Sequence, residues 1–200
     1  MPRRYNRSGR DAAMALTRSR IVDAVVGLHA ERGARDTSYA DIAARADVAV
    51  PTVYKHFPNL AALFDACVGH VSERAPRLDP EIFDGVPEAA DRVAALARAL
   101  AAQHRYFAPW LRWSVHEASL MPELAVHRRR VDEAHRALIA TAVAPAFETA
   151  PPPALLGVLA TLLDFRSWQT LIDQYDLSDT AAADAIANAA LLVFNGYATA

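Results

Sequence analysis

The sequence predicts an all-α protein of about nine helices, as one domain or as a small domain fused to a larger one. Three observations lead there. The 200 residues include 44 alanines and only 7 glycines, a balance that favours helices over a turn-rich β fold. Apolar residues recur at helical spacing, and no segment sustains a period-two alternation. Prolines and capping residues divide the chain into segments of helix length.

The elements follow in order. Residues 1–16, with Arg3, Arg4, Arg7 and Arg10, are expected to form a flexible basic arm, either a solvated tail or a segment that reaches phosphates or a minor groove. Thr17 reads as the N-cap of a first helix carrying Ile21, Val25 and Leu28, which Gly33 ends. Ser38 and Asp41 have the spacing of a capping box, opening a short helix over Tyr39 to Ala46. A tight turn at Asp47-Val48 leads to a third helix from Val50 to about Phe57, stopped by Pro58. Asn59 caps a fourth helix with Leu60, Leu63, Phe64, Cys67 and Val71 along one face. Ala75 to Pro87 reads as a loop. A long helix is expected from Pro87 to Phe107, broken at Pro109 before Trp110 to Ser119. Further helices are expected from Pro122 to about Ala146, from Ala154 to about Asp173, and from a Ser178 cap to Asn195-Gly196.

Composition removes several function classes. An apolar fraction of 53% excludes disorder throughout. The single cysteine, Cys67, cannot form an intramolecular disulfide, and its place on the apolar side of its helix suggests an inert thiol. No apolar run of secretory length follows the first arginines, and Ala154 to Leu163 is too short to span a bilayer, so a cytoplasmic protein without membrane contact is expected. His70 and Glu73 stand three residues apart without a second ligand pair, so no metal site is expected. No phosphate-binding loop, dinucleotide fingerprint or nucleophile elbow appears. The expectation is no enzyme, no catalytic residue and no cofactor. Arg128-Arg129-Arg130 reads as a solvated helix face.

Charge is unevenly spread. The formal charge is −2 overall, but +4 over residues 1–60 and −6 over residues 61–200. A basic first third on an acidic remainder suggests a nucleic-acid-facing segment joined to something else.

Tyr39 to Phe57 has the spacing of a helix-turn-helix unit. Ala43 is small where two helices must cross closely. Asp47 stands four residues on, where the turn needs left-handed backbone angles. Val53, six further, is β-branched and faces inward, and Ile42, Val48 and Phe57 complete a miniature core.

At these residues the sequence resembles the tetracycline-repressor (TetR) family of bacterial transcription regulators. The resemblance is carried by Glu31-Arg32-Gly33, Thr37-Ser38, Asp41-Ile42-Ala43, Ala46-Asp47-Val48 and the run Thr52 to Asn59. It implies a DNA-binding domain over residues 17–62 and a ligand-binding and dimerisation domain over residues 63–200. It implies further that Ala49 to His56 is a recognition helix in the major groove. Thr37, Ser38, Ala49, Val50, Pro51, Thr52, Tyr54, Lys55 and His56 are then the DNA-contacting set, although Tyr54 can instead pack against the first helix. Partners implied are an operator duplex and a small-molecule effector.

Departures from the family pattern sharpen the expectation. Ala49 replaces a common serine and removes a side-chain cap worth about 1 kcal/mol. Pro51 replaces a common glycine, at little cost in a first turn. Leu60 stands where a phosphate-binding lysine is usual. The groove-facing tip Ala49, Val50, Pro51 and Thr52 lacks Arg, Asn and Gln, so it suits thymine methyl groups and reads guanine poorly.

In the remaining two thirds, Leu155 to Ile172 is apolar nearly all round, so burial on more than one side is expected. The last helix carries Ala182, Ala185, Ile186, Ala189, Ala190 and Val193 as a small-residue face. Two such helices from each of two chains make a four-helix interface, and a two-fold dimer demands a palindromic operator. The alternative is burial of both helices within one monomer. Gln103, Tyr106, Phe107, Trp110, Trp113 and His116 cluster near Pro109, with His104, Arg112 and Met121 close in sequence, and Phe165 and Trp168 are expected to face them. Such a set lines a ligand pocket or an ordinary core.

Overall fold

The computed structural model describes residues 7–199. Among these residues it has nine α-helices: α1 (Arg7–Arg32), α2 (Tyr39–Ala46), α3 (Val50–His56), α4 (Leu60–Ser72), α5 (Ala89–Glu117), α6 (Pro122–Val143), α7 (Pro153–Leu162), α8 (Phe165–Asp173) and α9 (Asp179–Ala198). Short 3₁₀ turns lie at Pro80–Phe83 and Ala144–Ala146, and no strand occurs among the described residues. The all-α expectation holds. The chain divides into two compact units. The first runs to Arg74 and includes Arg112–Ala125; the second comprises Ala75–Leu111 and Val126 onward.

In the first unit, Ile21, Val25, Ile42, Val53, Phe57 and Leu63 are almost completely buried around one core. Ala43 and Ala46 are buried in the same core, where a larger side chain would hold α2 and α3 apart. Ser38 and Asp41 form the full capping box that opens α2. Asn59 accepts from the Ala62 amide at 2.8 Å and opens α4. The whole of α4 belongs to this unit rather than to a domain starting at residue 63, because Leu63 and Cys67 pack into the α1–α3 core.

Two expectations for α1 are corrected. The helix begins at Arg7, so residues 7–16 are helical and not a flexible arm. Thr17 is not an N-cap: its hydroxyl donates back to the Ala13 carbonyl at 2.9 Å, one turn earlier. The run Ala12 to Leu16 consists of strong helix formers, so nothing stops the helix from extending upstream. Arg3, Arg4 and the side chain of Arg7 lie outside the described residues.

In the second unit Val93, Leu96, Leu100, Val143, Leu155, Leu159, Ala182 and Ala190 are almost completely buried. Here too the structure differs from the sequence reading. Pro109 does not break α5, which runs through it to Glu117. The proline removes one helical hydrogen bond, the amide donor to the carbonyl of Arg105, an exposed residue. Conversely, the single helix expected from Ala154 to Asp173 is two, since the Asp164 carboxylate accepts from the Arg166 amide and starts α8 afresh. Phe83 turns the expected loop inward, with the Arg92 guanidinium 5.7 Å above its ring.

Candidate nucleic-acid interface

The site is built on α2, the turn at Asp47, and α3. Asp47 adopts φ 52°, ψ 55°, the left-handed conformation that the helix-turn-helix spacing requires. For a residue with a Cβ this conformation costs about 1 kcal/mol or more. The Arg20 side chain in α1 compensates by donating to the Ala46 carbonyl and to the Asp47 carbonyl, the latter at 3.0 Å. It also pairs with the Asp47 carboxylate at 3.3 Å. Arg20 therefore satisfies carbonyls that the end of α2 would leave without partners.

Next, α3 opens at Ala49 without a side-chain cap, as the loss of the usual serine predicts, and Pro51 sits in its first turn. Only Val53 of this helix is buried. Ala49, Pro51, Tyr54 and Lys55 are exposed, and Val50, Thr52 and His56 are half-buried. Neither Thr52 nor Lys55 enters the core. Lys55 makes no ion pair among the described residues, so its ammonium is available to an outside anion. Tyr54 is exposed and packs against α2. Its ring stacks on Tyr39 of α2, centroids 4.3 Å apart and planes within 7°. Tyr39 in turn reaches the Phe57 carbonyl at 3.4 Å, so the stack braces both ends of the α2–α3 hairpin. Tyr39 is missed in the sequence reading, where a Tyr-Tyr pair fifteen residues apart carries no recognised signal.

Thr37 and Ser38 serve the start of α2. Thr37 Oγ1 donates to the Gly33 carbonyl at 2.7 Å. Ser38 Oγ accepts from the Asp41 amide at 3.2 Å and donates to the Asp41 carboxylate at 2.5 Å. The Ser38 hydroxyl and the Ser38 backbone amide, both donating to the Asp41 carboxylate, and then the Arg32 guanidinium hold that carboxyl at about 2, below the usual carboxylate range. Other basic groups are also engaged internally. Arg45 grips Glu31 through two bonds of 2.7 Å, Arg32 pairs with Asp41 at 3.0 Å, and Arg18 lies 4.9 Å above the Phe57 ring.

Behind the hairpin, Cys67 and His29 are buried with Sγ and Nδ1 3.8 Å apart. Burial pushes the thiol up to about 12 and the imidazole down to about 4, which agrees with an inert thiol. His70 Nε2 faces Asp23 at 3.4 Å rather than Glu73, and no cluster of three metal-binding side chains occurs among the described residues.

The aromatic set expected as one cluster is divided. Gln103, Tyr106, Phe107, Trp110, Phe165 and Trp168 belong to the second unit, Trp113 and His116 to the first. In the second unit, Tyr106 meets Phe107 edge-on at 4.9 Å and Trp110 at 6.3 Å. Phe165 and Trp168 surround a different residue, the buried His104, at 5.8 and 6.4 Å. His104 Nε2 lies 2.9 Å from the Leu163 carbonyl, and burial draws its pKa down to about 4. The Trp168 indole N–H is buried without a hydrogen-bond partner among the described residues. Gln103 Nε2 donates to the Pro76 carbonyl at 2.6 Å. In the first unit His116 is exposed, and Trp113 Nε1 donates to the Ala30 carbonyl at 3.1 Å.

Comparison with known proteins accords with this geometry. Residues 21–67 match the family described as bacterial regulatory proteins, tetR family. No curated protein matches the chain. A solved TetR transcription regulator from Haloarcula marismortui is 16% identical, with TM-score 0.64 over 90% of this chain and 97% of that one. A transcriptional regulator from Rhodococcus is likewise 16% identical, with TM-score 0.62 over 90% and 96%. The multidrug binding protein EbrR, solved with imidazole, is 23% identical, with TM-score 0.58 over 94% and 93%.

Proposed function

We propose that this chain, a DNA-binding transcriptional regulator of the TetR family, acts as a homodimeric repressor that leaves a palindromic operator when a small molecule binds its second unit. The observation that carries the DNA-binding part is α3. Val53 is buried in the helix-turn-helix core and Val50 packs against it, while Lys55 is exposed and Thr52 half-buried on the other side. A hydroxyl and a lone ammonium there suit phosphate oxygens, and the Ala49-Val50-Pro51-Thr52 tip suits thymine methyl groups. Specificity then leans on thymine contacts and DNA shape. Tyr54, braced by Tyr39, keeps its hydroxyl end for the backbone.

The dimer is supported by apolar surface left over on the last helices. In α9, Ala182, Ile186, Ala187, Ala190 and Phe194 are buried within the subunit. Ala182, Ile186 and Ala190 of the small-residue face expected from the sequence are therefore turned into the subunit. A second stripe, Ala185, Ala189 and Leu192, stays accessible, and Leu192 is 75% exposed. In α7, too, Leu155 and Leu159 are buried while Gly157 and Val158 are exposed, so the helix is covered on one side only. A groove of about 470 Å³ between α8 and α9, lined by Leu162, Leu171, Ala185 and Ala189 among others, continues this surface. A second copy of the chain, set through these last helices, buries it and places two recognition helices on one duplex.

The effector reading rests on the aromatic groups of the second unit, Tyr106, Phe107 and Trp110 beside Gln103, with Phe165 and Trp168 around His104. Trp113 and His116 are not retained: one is tied to α1, the other is exposed in the first unit. Release is a population shift. The effector favours a conformer whose recognition helices no longer match successive grooves, and DNA then weakens effector binding by the same factor.

Selection of duplexes from a random pool by the purified protein tests the operator. A palindromic, thymine-rich consensus is expected, and a consensus read through guanine contacts by α3 overturns the tip assignment. Footprinting across the promoter of a gene carrying that consensus distinguishes repression from activation. A thermal-shift screen of small molecules, followed by release of the selected duplex, tests the effector.

A further inference from the structure

Glu117, at the last turn of α5, is the most deeply buried carboxylate of the first unit, at 8% exposure. It meets no lysine or arginine at ion-pair distance among the described residues. Instead its two oxygens accept from two consecutive backbone amides, Oε2 from Ala34 and Oε1 from Arg35, both at 3.1 Å. These amides follow the end of α1 at Gly33, whose φ is +84° and whose own amide bonds back to His29 at 3.0 Å. Four residues earlier on α5, Trp113 donates to the Ala30 carbonyl at 3.1 Å. A carbonyl near the end of α1 and two amides beyond it are thus all held from one face of α5. Gly33 is shaped to this clamp as well. A Cβ there would stand 2.2 Å from Glu117 Oε1 and 3.2 Å from Trp113 Cβ.

The clamped turn positions the recognition unit. Thr37 closes it by donating to the Gly33 carbonyl, and Ser38, the next residue, caps α2. The path from Glu117 to α3 thus runs through the α1–α2 turn and a helix of eight residues.

We infer that Glu117 is a positioning residue for operator binding, its buried carboxylate holding the α1–α2 turn in the register that aims α2 and α3 at the duplex. The inference rests on the DNA-binding reading above.

The test uses the full-length protein and a duplex selected by the wild type from a random pool. Glu117→Gln keeps the shape but turns one acceptor into a donor, against an amide that is itself a donor. Glu117→Ala removes both acceptors. Charge-assisted bonds of this kind support a loss on the order of tenfold in affinity for the selected duplex. The loss should be larger in Glu117→Ala, while binding to an unrelated duplex stays unchanged. The selective-to-unrelated ratio is the decisive readout, since partial unfolding lowers both affinities together. Faster hydrogen exchange at the Ala34 and Arg35 amides, with the α4 core still protected, is expected in both variants. If Glu117→Ala does not fold, Glu117→Gln and its exchange pattern carry the test. An unchanged ratio in a folded variant, or unchanged exchange at both amides, overturns the inference. A wild type that selects no duplex overturns the DNA-binding reading itself.

Discussion

Replacing Lys55 with alanine isolates the electrostatic part of DNA binding. The side chain is exposed and forms no ion pair among the described residues, so its removal costs the fold almost nothing. Unfolding free energy should stay within about 0.5 kcal/mol of the wild type. Each phosphate neutralised on a duplex contributes about 0.9 to the slope of log K against log salt. In the proposed two-fold dimer two Lys55 side chains would reach the operator, so the slope should fall by about 1.8. Between 0.15 M and 1 M salt, a slope of that size corresponds to a factor of about 30 in affinity. Fluorescence anisotropy with a labelled duplex at four or five salt concentrations measures it. Selected and unrelated duplexes should weaken alike, because a point charge on a phosphate carries no sequence information. Arg45→Ala is the matching control. Its guanidinium is occupied by Glu31 through two bonds of 2.7 Å, so the slope should barely change. A Lys55→Ala slope equal to that of the wild type refutes the assignment. A loss confined to the selected duplex points instead to a base contact.

Three further outcomes are expected. Arg20→Ala removes the donors to the Ala46 and Asp47 carbonyls and should cost about 1–2 kcal/mol in urea unfolding, with weaker operator binding; equal stability would show that solvent serves those carbonyls as well. Gly33→Ala should destabilise by about 2 kcal/mol or more, from the strained φ and the close approach to Glu117. The loss should shrink in the Gly33→Ala/Glu117→Ala double variant, and strict additivity would refute the proposed contact. Finally, His29 and His104 are both held near 4, against an ordinary 6.5, by burial. The folded state resists protonation, so their contribution is complete above pH 6.5 and is lost as pH falls toward 4. Each accounts for about 3 kcal/mol over that range. Urea titrations at pH 7.5 and 5 should show the decline, and it should be shallower in a His104→Gln variant.

Local signals made much of this molecule legible. Ser38, Asn59 and Ser178 cap helices where their positions predict, because a cap is satisfied within three residues. The α2–α3 hairpin is equally readable, since Ala43, Asp47 and Val53 answer steric demands at fixed spacing. Misreadings arise where tertiary context decides. Thr17 has the chemistry of a cap, but helix-forming residues on its upstream side leave its hydroxyl only the carbonyl one turn back. Pro109 is a breaker by its own chemistry, yet it costs α5 one backbone hydrogen bond and the helix continues to Glu117. Asp164 is the opposite case, a cap concealed within an apolar run. Glu117 could not be read at all. Its partners lie 83 and 82 residues away, and an acid at the end of an amphipathic helix ordinarily signals nothing but solvent.

The distribution of arginines bears on how the proposed regulator would tell its site from other DNA. A charge of +4 over residues 1–60 suggests a broadly cationic surface. The structure assigns much of that charge to internal work: Arg20 to the turn, Arg32 to Asp41, Arg45 to Glu31 and Arg18 to the Phe57 ring. These contacts hold the hairpin rigid, and they leave α3 with Lys55 as its one permanently charged side chain. A stiff, sparsely charged reader gains little from any duplex at random, because sequence-independent affinity scales with the phosphates it neutralises. Discrimination must then come from fit: how closely two fixed recognition helices match the width and spacing of successive grooves. That requirement makes the backbone geometry of the α1–α2 turn matter for specificity.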